Sequence, residues 1–310
     1  MFLTWDDVVR ISREIRRMPQ PEVDEELRGW TWGESAVTSS MQWLLGVSDI
    51  TSNFCPRGRD VYLRYVLKIK QGDNKTLQVG RLVHEVFSKA IVSVKRLIYD
   101  SSGSIDGMRL YEEMRSKGAE MLAEVISKYV LIEGAEASWL FTKLWDEASR
   151  TYSAALDKAL SRSPYMSLES LVAATVPIIT EFPVDGSLIG LSRALRIDAF
   201  LPPSILMELK TRKPDPLYEL SLAGYALAFE AQYEIPVNHG ILMYVSVDFL
   251  SRRVFTRPVI VPISSKARSE FIELRDHRKE ILAYGEDPGM PEHCNQECPF
   301  IRYCRGGSDG

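Results

Sequence analysis

Residues Arg196 to Lys213 read RIDAFLPPSILMELKTRK, and the fold is decided by how this stretch is read. Two strand-like runs flank a Pro202-Pro203-Ser204 turn. The first carries Asp198, and the second carries Glu208 and Lys210 two residues apart. Side chains alternate faces along a strand, so Glu208 and Lys210 project on one side. Pairing the runs as a hairpin brings Asp198 to the same place. Two carboxylates beside a lysine can hold a hard cation next to a fixed positive charge, which is what phosphodiester hydrolysis requires. Taken alone, the motif is most often an exposed hairpin with Glu and Lys in solvent, so the flanking chain has to decide.

Downstream, Leu217 to Glu234 has a helical apolar face, Gly240–Val247 and Val254–Ile263 read as strands, and a last helix runs over Ser264–Tyr284. Upstream, Val172–Pro183 and Leu188–Leu201 read as strands before Ser204–Thr211. The order helix, three strands, helix, strand, strand predicts an α/β core with a mixed sheet. Gln78–Tyr99 carries an apolar stripe of helical period, with His84 at its margin. Met108–Leu160 reads as a helical insertion broken near Glu133-Gly134, a lid or partner surface without chemistry of its own. Trp5–Met18 has helical spacing, Pro19–Ser40 no period, and Ser48 or Asp49 is expected to cap a short helix ending near Asn53. Arg57, Arg59 and Arg64, interleaved with Tyr62 and Tyr65, suit either a phosphate backbone or a solvated helix face. The expected division is a single elaborated domain, with a wrap over 1–46, a core over 47–99 and 170–263, the insertion over 100–165 and a closure over 264–310.

The chain has 310 residues and a net charge of −4, so any nucleic-acid contact rests on a local patch rather than an overall basic field. No apolar run nears the roughly 20 residues of a membrane span. The opening MFLTWDDVVRISREIRR scatters charges unlike a signal peptide, and a cytoplasmic location is expected. Of four cysteines, Cys294, Cys298 and Cys304 crowd the tail PEHCNQECPFIRYCRGG and Cys55 stands far upstream. An iron–sulfur cubane, a zinc site and a pair of disulfides are the three readings, in that order.

These residues resemble the PD-(D/E)xK, restriction-endonuclease-like nucleases, and among them the RecB-like branch. GRLVHEVF with His84 is similar to that branch's GxxxHxxx helix. RIDAF supplies Asp198, MELKT supplies Glu208 and Lys210, and Leu222–Tyr225 resembles part of its QhxxY motif. One cysteine before the core and three after it resembles the members that carry a 4Fe–4S cluster, and the nearest likeness is the CRISPR-associated Cas-four family with its archaeal Csa branch. The likeness covers about residues 47–95 and 170–304. Ile197 stands where the eponymous proline would be, Ser221 at the Gln position, and the tail spacing is C-x3-C-x5-C.

The resemblance implies a cation, Mn²⁺ or Mg²⁺, held by His84, Asp198, Glu208 and the backbone carbonyl of Leu209. Lys210 would serve the transition state and Tyr225 would brace Lys210 or a phosphate. Glu181 is a further acidic candidate, read as a solvated strand residue. Cys55, Cys294, Cys298 and Cys304 would hold the 4Fe–4S cluster. The implied activity is a DNA exonuclease acting 5′→3′ on single strands in CRISPR adaptation, an antiviral defence, with the CRISPR integrase and other adaptation proteins as partners. The alternatives are a non-catalytic DNA-binding or scaffold subunit and a RecB-like repair nuclease.

Overall fold

A computed structural model of the chain describes residues 1–33, 36–39, 42–52, 54–102 and 104–306. Five strands form one mixed sheet in the order β1 (Ile179–Val184), β2 (Leu195–Leu201), β3 (Ile205–Lys210), β4 (His239–Asp248) and β5 (Arg253–Pro262). Neighbours are antiparallel except β3 and β4, which run parallel. A parallel pair needs a crossover, and α8 (Leu217–Tyr233) supplies it. The expected α/β core with a mixed sheet is therefore the observed one.

Alternation along the strands separates two apolar layers. Ala199, Leu201, Met207, Leu209, Ile241 and Met243 face α1 (Trp5–Arg17), α4 (Lys75–Asp100), α5 (Gly107–Ile126), α6 (Gly134–Arg162) and α7 (Leu168–Thr175). Phe200, Leu206, Leu242 and Val261 face α2 (Val47–Thr51), α8 and α9 (Ser265–Tyr284). The insertion is not a detached lid: Leu110, Met114, Phe141 and Tyr152 share a core with Val83 and Phe87 of α4. Among the described residues, no helix is long and apolar enough to cross a membrane.

Two expected strands are shorter than their apolar runs. Val172 lies in α7, because Ser167 caps that helix by accepting from the Ser170 N–H, and Leu171 and Val172 bury against helices. The strand begins only at Ile179. Likewise Ser187–Ile189 is a single 3₁₀ turn ended by Gly190 at φ +69°, and β2 begins at Leu195. The short helix α2 is capped by Gly46, whose N–H is accepted by Asp49; Asn53, its expected end, lies outside the described residues.

The segment before α2 is strapped down by buried charge. Glu230 on α8, fully buried, accepts from Arg268 of α9 at 2.7 and 2.9 Å, from Arg28 at 2.9 Å and from the Gly29 N–H at 2.9 Å. Each charge has a partner, as a buried ionic group must. Gly29 lies so close to the α8 backbone that a Cβ would collide with it.

Lys279 on α9 is also buried, donating to Ser39 with Arg275 nearby; burial lowers its pKa to about 8. A lysine depressed in the folded state costs stability wherever it must stay charged, and that cost fades as pH climbs from about 8 towards the ordinary 10.5. Lys279→Met is therefore expected to stabilise the protein at pH 7 by on the order of 1–2 kcal/mol, after discounting for solvent screening. Chemical denaturation at pH 7 and pH 10 checks this: the gain must shrink at the higher pH.

Candidate active site

The pairing of β2 with β3 runs from Leu201–Ile205 to Ala199–Met207 and goes no further. At the next position the Asp198 carboxylate takes the place of a ladder partner, its Oδ2 accepting from the Leu209 N–H at 2.8 Å. A strand residue's N–H and C=O point to the same side, so the Leu209 carbonyl faces this same splayed edge. The other Asp198 oxygen lies 3.1 Å from Nδ1 of His84, which α4 carries across. On β3, two residues apart as the strand period requires, Lys210 Nζ sits 2.7 Å from Glu208 Oε2. All four motif residues line one cleft of about 450 Å³.

The electrostatics follow from the contacts. Burial alone would lower the His84 pKa, but the charge and hydrogen bond of Asp198 outweigh it and the net shift is upward. Burial pushes the Asp198 carboxyl up, and His84, Lys210 and the Leu209 N–H together bring it below its usual value. Lys210 is raised, since Glu208 overrides desolvation. The lysine is thus held charged, as an anionic transition state requires. As they stand, each carboxylate is committed to protein partners; among the described residues no three His, Cys, Asp or Glu side chains converge on one point as a single-ion site. The donor set itself, two carboxylates, an imidazole and a carbonyl on one edge, fits Mn²⁺ or Mg²⁺.

Several expectations change on this geometry. Tyr225 is buried and lines the cleft, but among the described residues no hydrogen bond joins it to Lys210. The ring against Lys210 is that of Tyr218, with Nζ 4.8 Å from its centre. Desolvation, then Glu208 and Asp198, push the Tyr225 phenol far up, so it stays a neutral hydroxyl. Ser221, where a glutamine was the expected residue, donates to Glu208 and holds that carboxylate from behind. Glu181 is not a solvated strand residue: it is half-buried, with a pKa raised by desolvation and by Asp198, and it takes a left-handed φ of +51° in β1. Its alternating sequence gave no sign of that backbone turn.

The arginines match neither a shared phosphate patch nor a solvated helix face. Arg64 pairs with Asp49 and lines the cleft, where Arg212 stacks on Phe54 at 4.6 Å. Arg57 reaches the Met290 carbonyl at 3.4 Å, and Arg59 is largely buried, pairing with Asp287 at 2.7 Å and donating to the Cys304 sulfur at 3.3 Å. Arg59 therefore fastens the tail. Arg59→Ala is expected to cost about 1–3 kcal/mol of stability while leaving single-stranded DNA affinity within about twofold. Urea unfolding alongside fluorescence anisotropy decides this; a large loss of DNA affinity without a loss of stability would return Arg59 to the nucleic-acid surface.

Behind the cleft, Cys55, Cys294, Cys298 and Cys304 line one pocket together with Arg59, Phe300 and Ile301. Cys55 precedes α3 (Arg59–Tyr65), and Cys304 ends α10 (Ile301–Cys304), so the pocket joins segments remote in sequence. Burial pushes the Cys298 thiol up to about 11, and it raises Cys304 despite the opposing Arg59. Four cysteine sulfurs on one apolar pocket supply the donor chemistry of a group held by four thiolates, although among the described residues no three of them converge as a metal site as they stand.

The sequence can be set beside known proteins on these grounds. A model of the family described as CRISPR-associated exonuclease Csa1 matches residues 1–307. A Saccharolobus solfataricus protein named CRISPR-associated exonuclease Csa1 is 38% identical over 307 residues, spanning 98% of this chain and 99% of that one. One of the same name from Thermoproteus tenax is 30% identical over 306 residues, spanning 98% of this chain and 100% of its own.

Proposed function

From the premise that the chain belongs to the CRISPR-associated exonuclease Csa1 family, and is thereby a nuclease enzyme, we propose that it is a cation-dependent DNA exonuclease working in CRISPR adaptation. The observation that carries the chemistry is the meeting of His84, Asp198, Glu208 and Lys210 at one splayed strand edge. His84, Asp198, Glu208 and the Leu209 carbonyl would hold Mn²⁺ or Mg²⁺. When bound, that ion supplies an activated water and positive charge at the phosphate.

The chain's own residues do the rest. Asp198, fixed by the Leu209 N–H and His84, presents a carboxylate whose low pKa keeps it ionised. Lys210, braced by Glu208 and by the Tyr218 ring, holds its ammonium where charge builds on the phosphoryl oxygens. Ser221 keeps Glu208 from turning away. Arg64 and Arg212 flank the cleft and Phe54 offers a face for stacking, which together suit a single strand of DNA. Behind the cleft, Cys55, Cys294, Cys298 and Cys304 would hold a 4Fe–4S cluster that locks the tail against α3. A 5′→3′ direction and action beside the CRISPR integrase complete the reading.

The test is digestion of 5′-labelled and 3′-labelled single strands with and without Mn²⁺. Release of the 5′ label first, dependent on the ion, is the expected result. Loss of the 3′ label first reverses the direction, and cleavage indifferent to EDTA removes the cation-dependent mechanism. For the adaptation role, deletion of the gene in its host should lower new spacer capture; undiminished capture leaves a nuclease outside that process.

A further inference from the structure

A second cavity, of about 710 Å³, opens on the other side of the reacting centre, and the residues lining the two cavities have only His84 and Asp198 in common. That volume is in the range of roughly 300–1,000 Å³ typical of ligand sites. Its walls come from three elements. The helix α4 gives Arg81, Glu85, Ser88 and Lys89; β1 gives Glu181; and the insertion gives Tyr129. The left-handed backbone at Glu181 occurs where β1 passes Asp198, between the paired positions Thr180–Ala199 and Phe182–Ile197. Non-glycine residues hold such a conformation at a cost of about 1–3 kcal/mol, and they cluster where a site needs them. The insertion is pinned at this spot: the Tyr129 hydroxyl donates to Glu85 at 2.5 Å and Lys128 pairs with the same carboxylate at 2.7 Å.

Resting on the nuclease reading above, we propose that this second cavity seats the nucleotides on the leaving side of the scissile phosphate, and that the helical insertion exists to wall it. A phosphodiester cut at the His84–Asp198 boundary has chain on both sides, and there is one cavity for each. In the first cleft Arg64 and Arg212 are paired too, with Asp49 and Glu297, and what suits it to a retained strand is its aromatic lining, Phe54, Tyr218 and Phe300. The second is built for weak hold. Its cations are opposed as those of the first cleft are, Arg81 by Asp73 and Lys89 by Glu85 and Glu124, but its aromatic lining is Tyr129 alone, with the hydroxyl engaged. A short nucleoside 5′-phosphate fragment binds such a wall loosely and leaves, as a product must.

The experiment uses the full chain, Mn²⁺, a labelled single-stranded 12-mer and deoxythymidine 5′-monophosphate as the competing product. Ser88→Trp puts a large side chain into the second cavity. It is expected to slow digestion about tenfold or more and to weaken inhibition by the monophosphate by a similar factor. Affinity for the 12-mer, measured without divalent ions, should stay within about twofold, because the first cleft is untouched. Should Ser88→Trp fail to fold by circular dichroism, Arg81→Glu, at an exposed lining position, decides instead: inhibition by the monophosphate should weaken at least about threefold. Wild-type inhibition in whichever variant is folded overturns the proposal. Controls with Asp198→Ala separate the two readings. If that variant is dead and Ser88→Trp behaves as wild type, this inference alone falls; if Asp198→Ala still digests DNA, the nuclease centre falls and this inference with it.

Discussion

Asp198→Ala, Glu208→Ala and Lys210→Met are each expected to lower DNA hydrolysis by about 10³-fold or more while the protein stays folded. The three losses differ in kind, and calorimetry with Mn²⁺ tells them apart. Asp198 and Glu208 are proposed ion ligands, so their alanine variants should lose Mn²⁺ binding along with activity. Lys210 holds no ion; its loss removes the ammonium beside Glu208 and over the Tyr218 ring. Lys210→Met should therefore bind Mn²⁺ and the single strand yet fail to cut. It should also destabilise modestly, because Glu208 is almost fully buried and, among the described residues, retains only the Ser221 hydroxyl as a side-chain partner. Activity persisting in a variant lacking all three residues would place the catalytic centre elsewhere. Mn²⁺ binding lost in Lys210→Met would make the lysine an organiser of the acidic pair rather than a partner of the transition state.

Cys55→Ala carries the second large effect. Protein prepared without oxygen should be brown, with broad absorbance near ~400 nm and about four irons per chain, as four thiolates imply. Any one of Cys55, Cys294, Cys298 or Cys304 changed to Ala should discharge the colour. Cys55 is the informative position, because it alone lies before the core and the other three close the tail. Closing so long a loop removes much conformational freedom from the unfolded chain, so stability should fall by about 3 kcal/mol or more when the link is lost. Arg59, joining Asp287 to Cys304, and the buried Phe300 should keep the tail docked but frayed. Limited proteolysis after residue 290 reads this directly. A colourless, zinc-loaded protein, or a brown one indifferent to Cys55, excludes a cluster closed across the chain.

The sequence by itself determined the order of strands and helices along the chain, the mixed sheet and the broken helical insertion. It also determined that Glu208 and Lys210 share a face with Asp198 within reach. Those features depend on periodicity, which is a property of neighbours along the chain. It overstated two strands, because Val172 and Leu188 have strand-like neighbours and only a capping serine and a left-handed glycine stop them. It grouped three cysteines and suspected the fourth from a resemblance, but the docking of the tail on α3 is what gathers them in one pocket. Which partner satisfies each charge was decided by tertiary structure alone. Arg59 went to the tail instead of a phosphate surface, Tyr218 instead of Tyr225 lies against Lys210, and Ser221 fastens Glu208. One wall of the second cavity is likewise set by the packed fold, where Tyr129 of the insertion is bound to Glu85 of α4. A side chain's periodicity says which way it points, but burial and pairing depend on groups a hundred residues away, whose approach only the packed fold sets.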